Sequence, residues 1–261
     1  MNRLLRRSPL LILLLVLTAT ALACASGSPE VLPTVAPQAF PQQPPAQPQT
    51  LPPDPGSNSG ALPSELSQGQ RANLIAATVQ IFGLKRRGND LTPIYTGSGT
   101  VLSPDGLILT NAHVASPASQ GDTQDEPDAL GVALVESEDR AAVPSYLAEV
   151  MAVDGYLDLA VIRITSTLDG ARVDAARLNL PYVPLGDSDS IHIGDTISIF
   201  GFPGIGGDTI TFTKGSVSGF TSEQAIGDRA WIKTDATIAG GNSGGLGADN
   251  AGRIIGVPTQ A

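Results

Sequence analysis

Cysteine is nearly absent from this sequence: Cys24 is the only one among 261 residues. The chain therefore closes no internal disulfide, and its folded part must be held by burial alone. Positive charge is also scarce, with 15 Lys and Arg against 25 Asp and Glu and a net charge of −10. A surface that acidic argues against nucleic acid and anionic membranes as partners. Long hydrophobic runs are missing too. The unbroken apolar stretch from Leu10 to Leu17 falls far short of the ~20 residues that cross a bilayer. Histidine occurs only at His113 and His192, so imidazole chemistry has two places to reside.

What is present begins with an export signal over residues 1–23. Arg3, Arg6 and Arg7 come without an acid, the apolar run follows, and Ala21-Leu22-Ala23 closes it, which is the layout of a segment cleaved on export. Its removal takes away three positive charges and no negative ones, so −10 becomes −13. Cys24 follows directly, where a lipoprotein carries its acylated first residue. Ordinary cleavage beside an incidental cysteine is the alternative. Residues 24–70 are rich in Pro, Gln, Ala, Ser and Gly, and 11 of the 21 prolines lie between Pro29 and Pro63. Such a stretch cannot bury enough apolar surface to offset its ordering entropy, and predicts an extended spacer. At ~3.1 Å per residue it would reach on the order of 100 Å. The chain is thus expected to be exported to the cell surface or periplasm, touching membrane only through a lipid on Cys24.

Beyond Arg71 the texture changes to short β patterns broken by Gly, Pro, Asn and Asp. Strands are predicted over residues 78–84, 100–102, 107–110, 130–135, 147–153, 159–164, 196–200, 209–220, 230–234 and 253–257. Pro104-Asp105-Gly106 supplies the turn of a hairpin, Pro fixing one φ and Gly accepting a positive one. Many short strands with little helical periodicity indicate an all-β sandwich or barrel. Pro181 to Gly186 reads as the join between a half over residues 71–181 and another over 182–261. Lys85-Arg86-Arg87 reads as a hairpin tip, Trp231 as a core residue. The acids Asp122, Asp125, Glu126 and Asp128 read as a solvated loop, because they lack the spacing of a calcium loop.

Three clusters can carry chemistry. In Gly240-Gly241-Asn242-Ser243-Gly244-Gly245, glycines flank a serine and permit a tight turn with backbone N–H groups free for a developing oxyanion. Thr110-Asn111-Ala112-His113-Val114 places an imidazole at a strand end. Asp154-Gly155-Tyr156-Leu157-Asp158-Leu159 places two carboxylates before an apolar strand, and the residues alone do not choose between Asp154 and Asp158.

In order and spacing the three clusters resemble the trypsin-like serine peptidases, and most of all their bacterial HtrA-like branch. The likeness rests on Gly97-Ser98-Gly99, Leu109-Thr110-Asn111-Ala112-His113-Val114, Asp158-Leu159-Ala160-Val161, Leu185-Gly186-Asp187-Ser188-Asp189, Gly201-Phe202-Pro203 and Gly241-Asn242-Ser243-Gly244-Gly245. It implies two six-stranded-type antiparallel β-barrels and a triad of His113, Asp158 and Ser243. It also implies an oxyanion hole from the N–H groups of Gly241 and Ser243, and no cofactor or metal. Substrates would be proteins or peptides. Asn242 stands where digestive relatives carry the Asp of their zymogen switch, so that switch is not expected. Thr237 and Thr259 are expected in the substrate pocket. Thr237 is neutral where trypsin has an acid, and no histidine follows the serine as in glutamate-specific relatives. Small or medium apolar residues are therefore expected before the cut bond. Leu246 departs from the family's usual Pro. The family also continues past the last strand seen here, so the second barrel is expected to be incomplete and a PDZ domain to be missing. A catalytically silent, peptide-binding module of the same fold is the alternative function. For the N-terminus, mass spectrometry of the mature chain should find acylated Cys24 as first residue. An unmodified Cys24, or a start elsewhere, would remove the anchor.

Overall fold

The structure, a computed structural model, describes residues 63–204, 208–224 and 226–259. The signal segment, Cys24 and the spacer as far as residue 62 lie outside the described residues.

Six strands build the first half: β1 (Thr78–Arg87), β2 (Asp90–Val101), β3 (Leu107–Thr110), β4 (Ala129–Leu134), β5 (Val143–Asp154) and β6 (Leu159–Thr167). They close into an antiparallel barrel in the order β1-β2-β3-β6-β5-β4, with β4 pairing back onto β1. The period-2 pattern explains the closure. In β6, Ala160, Ile162 and Ile164 turn inward while Val161 and Arg163 are less covered. Val79, Ile81, Val101, Ile108, Val132 and Ile162 pack in the barrel core, with no disulfide to help them.

The hairpins form where turn chemistry predicts. Arg87 pairs with Asp90 across Gly88, whose φ is +65°, so Lys85-Arg86-Arg87 does run into a hairpin tip. Pro104-Asp105-Gly106 turns β2 into β3, with Gly106 at φ +90°.

Five strands build the second half: β7 (Thr196–Gly201), β8 (Thr211–Glu223), β9 (Gly227–Thr234), β10 (Leu246–Ala248) and β11 (Ile254–Gly256). They form one antiparallel half-barrel in the order β11-β10-β7-β8-β9. Its inner face gathers Ile191, Ile197, Ile199, Val217 and Ile255. Phe200, Leu246, Ala248 and Ile254 instead join the core of the first barrel. The two halves therefore share apolar surface, which fixes the cleft between them.

Among the strands and the longer helices, two elements escaped the sequence reading. The strand β10 is three residues long and carries little periodicity. Helix α1 (Gln68–Ala77) starts ahead of Arg71, because Ser67 and Gln70 form a reciprocal cap. Ser67 Oγ accepts the Gln70 amide at 3.2 Å, and Gln70 Oε1 accepts the Ser67 amide at 2.9 Å. Gln70 Nε2 then donates to the Ala251 carbonyl at 2.8 Å, tying α1 to the loop between β10 and β11. Trp231 also differs from its expected core position. It is half-buried on β9, and its indole N–H donates to Glu223, because an indole needs a polar partner when partly covered.

Ile162 is fully buried on the strand that leads out of the Asp158 turn. Ile162→Ala should lower unfolding stability by about 2–5 kcal/mol, measured by denaturant titration; a loss under about 1 kcal/mol would mean that this core repacks freely.

Candidate active site

The site grows from three loop ends at the cleft. His113 lies on a one-turn helix, α2 (Ala112–Ala115), that follows β3. Asp158 ends the turn between β5 and β6, with φ +52°, a left-handed conformation that Asp tolerates better than most residues. Ser243 lies in the glycine-rich loop before β10.

The structure distinguishes the two carboxylates of the 154–158 turn. Asp154 Oδ1 accepts the amides of Tyr156 and Leu157 at 2.9 and 3.0 Å, which closes the turn on itself. Asp158 points the other way. Its Oδ2 lies 2.9 Å and its Oδ1 3.0 Å from His113 Nδ1. Oδ1 also accepts the His113 amide at 3.0 Å and Gln120 Nε2 at 2.9 Å, while Oδ2 accepts Thr259 Oγ1 at 2.6 Å. Asn111 Nδ2 holds the Asp158 carbonyl at 2.7 Å.

With a carboxylate against Nδ1, the neutral imidazole carries its proton there and leaves Nε2 as an acceptor. Asp158 is only 7 % exposed. Burial alone would raise its pKa, but hydrogen bonds from the His113 ring, Thr259 and the His113 amide outweigh it and hold the carboxyl below its ordinary value. The other histidine is elsewhere. The His192 side chain is 81 % exposed and lies 3.8 Å from Asp195.

Ser243 is 5 % exposed, and its loop is bent by two residues only glycine can supply. Gly241 has φ +99° and Gly244 has φ +82°. A Cβ on Gly241 would meet the Phe202 carbonyl, and one on Gly244 would meet Thr110 Oγ1. Ser98, fully buried on β2, binds this loop to the first barrel. Its amide donates to the Ser243 carbonyl at 2.8 Å. Its hydroxyl donates to the Gly241 carbonyl at 2.6 Å and accepts the Phe202 amide at 2.9 Å. The N–H groups of Gly241 and Ser243 donate to no acceptor among the described residues.

His113 and Ser243 line one cavity of about 410 Å³, together with Tyr95, Gln120 and Gly241. No hydrogen bond joins the Ser243 hydroxyl to His113 among the described residues. Neutral Asn242 is buried, where a carboxylate without a cation would be costly. Thr237 is exposed after β9, its carbonyl accepting Thr213 Oγ1 at 2.8 Å. Thr259 was expected in the substrate pocket, and its hydroxyl binds Asp158.

Sequence reasoning missed Ser98, Gln120 and Asn111 as parts of the site. Ser98 left a trace in Gly97-Ser98-Gly99, where small residues let two backbones approach. Gln120 left none.

Residues 97–257 match the family model described as Trypsin-like peptidase domain. Among curated proteins, the chain is 32 % identical over 188 residues to human "Serine protease HTRA4", covering 69 % of this chain and 33 % of that protein. It is 32 % identical over 177 residues to "Probable periplasmic serine endoprotease DegP-like" of Brucella suis, covering 67 % and 29 %. A protein of the same name from Chlamydia pneumoniae is 35 % identical over 165 residues, covering 62 % and 28 %. The chain thus spans about a third of the length of the curated relatives it matches.

The Asp158 environment has a measurable consequence. Because the folded carboxyl ionises more readily than an unfolded one, its stabilising effect is complete above the ordinary value of ~3.9. It is lost as pH falls through the lower folded value. Acid titration of unfolding stability should therefore be shallower below about pH 4 for Asp158→Asn than for the parent. Identical slopes would show that the carboxyl is unperturbed.

Proposed function

Because the chain belongs to the trypsin-like peptidase family, with HtrA and DegP serine proteases among its homologues, we propose that it is an exported serine endopeptidase acting through His113, Asp158 and Ser243. The observation that carries this reading is the Asp158 carboxylate 2.9 Å from His113 Nδ1, with Ser243 on the wall of the same cavity.

The chemistry follows from where the protons sit. Ser243 Oγ attacks the peptide carbonyl carbon while Nε2 of His113 takes its proton. The carboxylate of Asp158 keeps the proton on Nδ1 and stabilises the imidazolium that forms. Negative charge grows on the carbonyl oxygen, and the unengaged N–H groups of Gly241 and Ser243 are its donors. Ser98 acts as a positioning residue here, because its hydroxyl fixes the Gly241 carbonyl through a hydrogen bond. His113 then protonates the leaving amine, the acyl-enzyme forms, and water attacks it through the same groups in reverse.

Thr237 is neutral, which supports a preference for small or medium apolar residues before the cut bond. The periplasmic label on the Brucella and Chlamydia relatives supports export, and the basic, apolar start of the chain supports it independently. A lipid on Cys24 remains part of this proposal.

One observation favours the rival, a silent peptide-binding module: no hydrogen bond joins Ser243 to His113 among the described residues. Such bonds often tighten only when substrate arrives. An active-site phosphonate separates the two readings. It should label Ser243 in the parent chain and fail in Ser243→Ala. Ser243→Ala should lower kcat by about a millionfold, and Asp158→Asn by about ten-thousandfold. Near-parental turnover in either variant would overturn the assignment.

A further inference from the structure

The acidic loop over residues 122–128 has no part in the chemistry above, yet it borders the same cavity. Two of its carboxylates are already engaged. Glu126 accepts Ser116 Oγ at 2.9 Å and the Ala118 amide at 2.8 Å. Asp128 accepts the Arg86 amide at 2.7 Å and lies 3.8 Å from Lys85 Nζ.

Asp122 and Asp125 differ. Both are exposed, and both line the cavity that holds His113 and Ser243. Asp122 uses Oδ1 alone, accepting the amides of Gln124 and Asp125 at 3.1 and 3.2 Å. That shapes the loop and leaves Oδ2 open. The Asp125 carboxylate accepts no hydrogen bond, and no cation pairs with either acid among the described residues.

Acids on a loop are usually just solvated, but a second observation marks this cavity as a ligand site. Ser243 is 5 % exposed, its hydroxyl makes no hydrogen bond among the described residues, and it borders this space. The negative field also reaches the cavity wall. Burial pushes the Tyr95 phenol up, and Glu126, Asp125 and Asp122 push it further in the same direction.

The cavity borders the imidazole. His113 delivers its proton to the departing amine, so the chain beyond the cut bond runs past the imidazole. The walls there, Tyr95, Pro117 and Gln120, come from the first barrel. Thr237, expected in the pocket for the residue before the cut, belongs to the second half and does not line this cavity.

We propose that Asp122 and Asp125 form a subsite for a cationic side chain, Lys or Arg, within the first two residues after the cut bond. The proposal deepens the peptidase reading and rests on it. Two unpaired carboxylates beside a half-enclosed space attract a cation more strongly than open solvent does, and they repel an acid. The advantage must weaken with salt, since partly exposed charges are screened beyond about 10 Å at 0.1 M.

The test uses peptides with one fixed apolar acyl side and Lys, Ala or Glu at the first or second position after the cut. Two readouts are taken: kcat/KM with the parent chain and equilibrium binding to the parent and to Ser243→Ala. At low salt, Lys should exceed Ala by about fivefold and Glu by more than about tenfold. The gap should narrow at about 0.5 M salt. It should vanish in an Asp122→Asn/Asp125→Asn double variant, which keeps the Oδ1 acceptor for the loop amides. Equal values for Lys, Ala and Glu would overturn the proposal. So would a preference that survives in the double variant. If no peptide is cleaved and no phosphonate labels Ser243, the peptidase reading fails, while the Lys-against-Glu binding ratio still decides the subsite.

Discussion

The site is organised around one carboxylate. Asp158 lies 7 % exposed in the cleft, and burial works against its charge. It stays ionised because it gathers the His113 amide and ring, Gln120 and Thr259 around its two oxygens. These partners come from α2 and the turn after it, and from the segment following β11. Remove the charge and the imidazole loses the neighbour that sets its tautomer and orientation. The left-handed backbone of Asp158 belongs to the same arrangement. The turn aims its carboxylate inward while Asp154 closes the turn from outside.

A second tie does for the serine loop what Asp158 does for the imidazole. Ser98 contributes its amide and its hydroxyl to three hydrogen bonds, and they join β2 of the first barrel to the Gly241–Ser243 segment and to Phe202. All of this lies at a fully buried position, where each unmade bond would carry a desolvation penalty. The Ser243 loop is thus referenced to the barrel that carries His113. Shared apolar packing of Phe200, Leu246 and Ile254 against the first-barrel core supports the same alignment. A chain with a single cysteine has this packing, and the capped helix α1, in place of internal disulfides.

Charge is distributed unevenly around that frame. Beside His113, Asp158 is enclosed and fully partnered, whereas Asp122 and Asp125 line the cavity from an exposed loop and pair with no cation among the described residues. The two kinds of acid have different physical consequences. The enclosed carboxylate sets the tautomer and orientation of the His113 ring. The open pair leaves a negative field along the cavity wall.

Much of this was legible from residue order. Alternating strands and the Pro104-Asp105-Gly106 turn determined an all-β architecture, and three polar clusters in fixed order offered His113 and Ser243 as candidates. Those signals are local, because turn chemistry and period-2 burial act within a few residues. Partnership across the cleft is not local. Nothing in the sequence near Gln120 or Thr259 marks them as donors to a carboxylate 38 and 101 positions away. Composition alone left Asp154 and Asp158 equal, and only the folded turn shows which of them spends its oxygen on its own backbone. The sequence determined which groups were available. Which of them meet was decided by barrel closure, because a hydrogen bond depends on separations of a few tenths of an ångström that chain order does not encode.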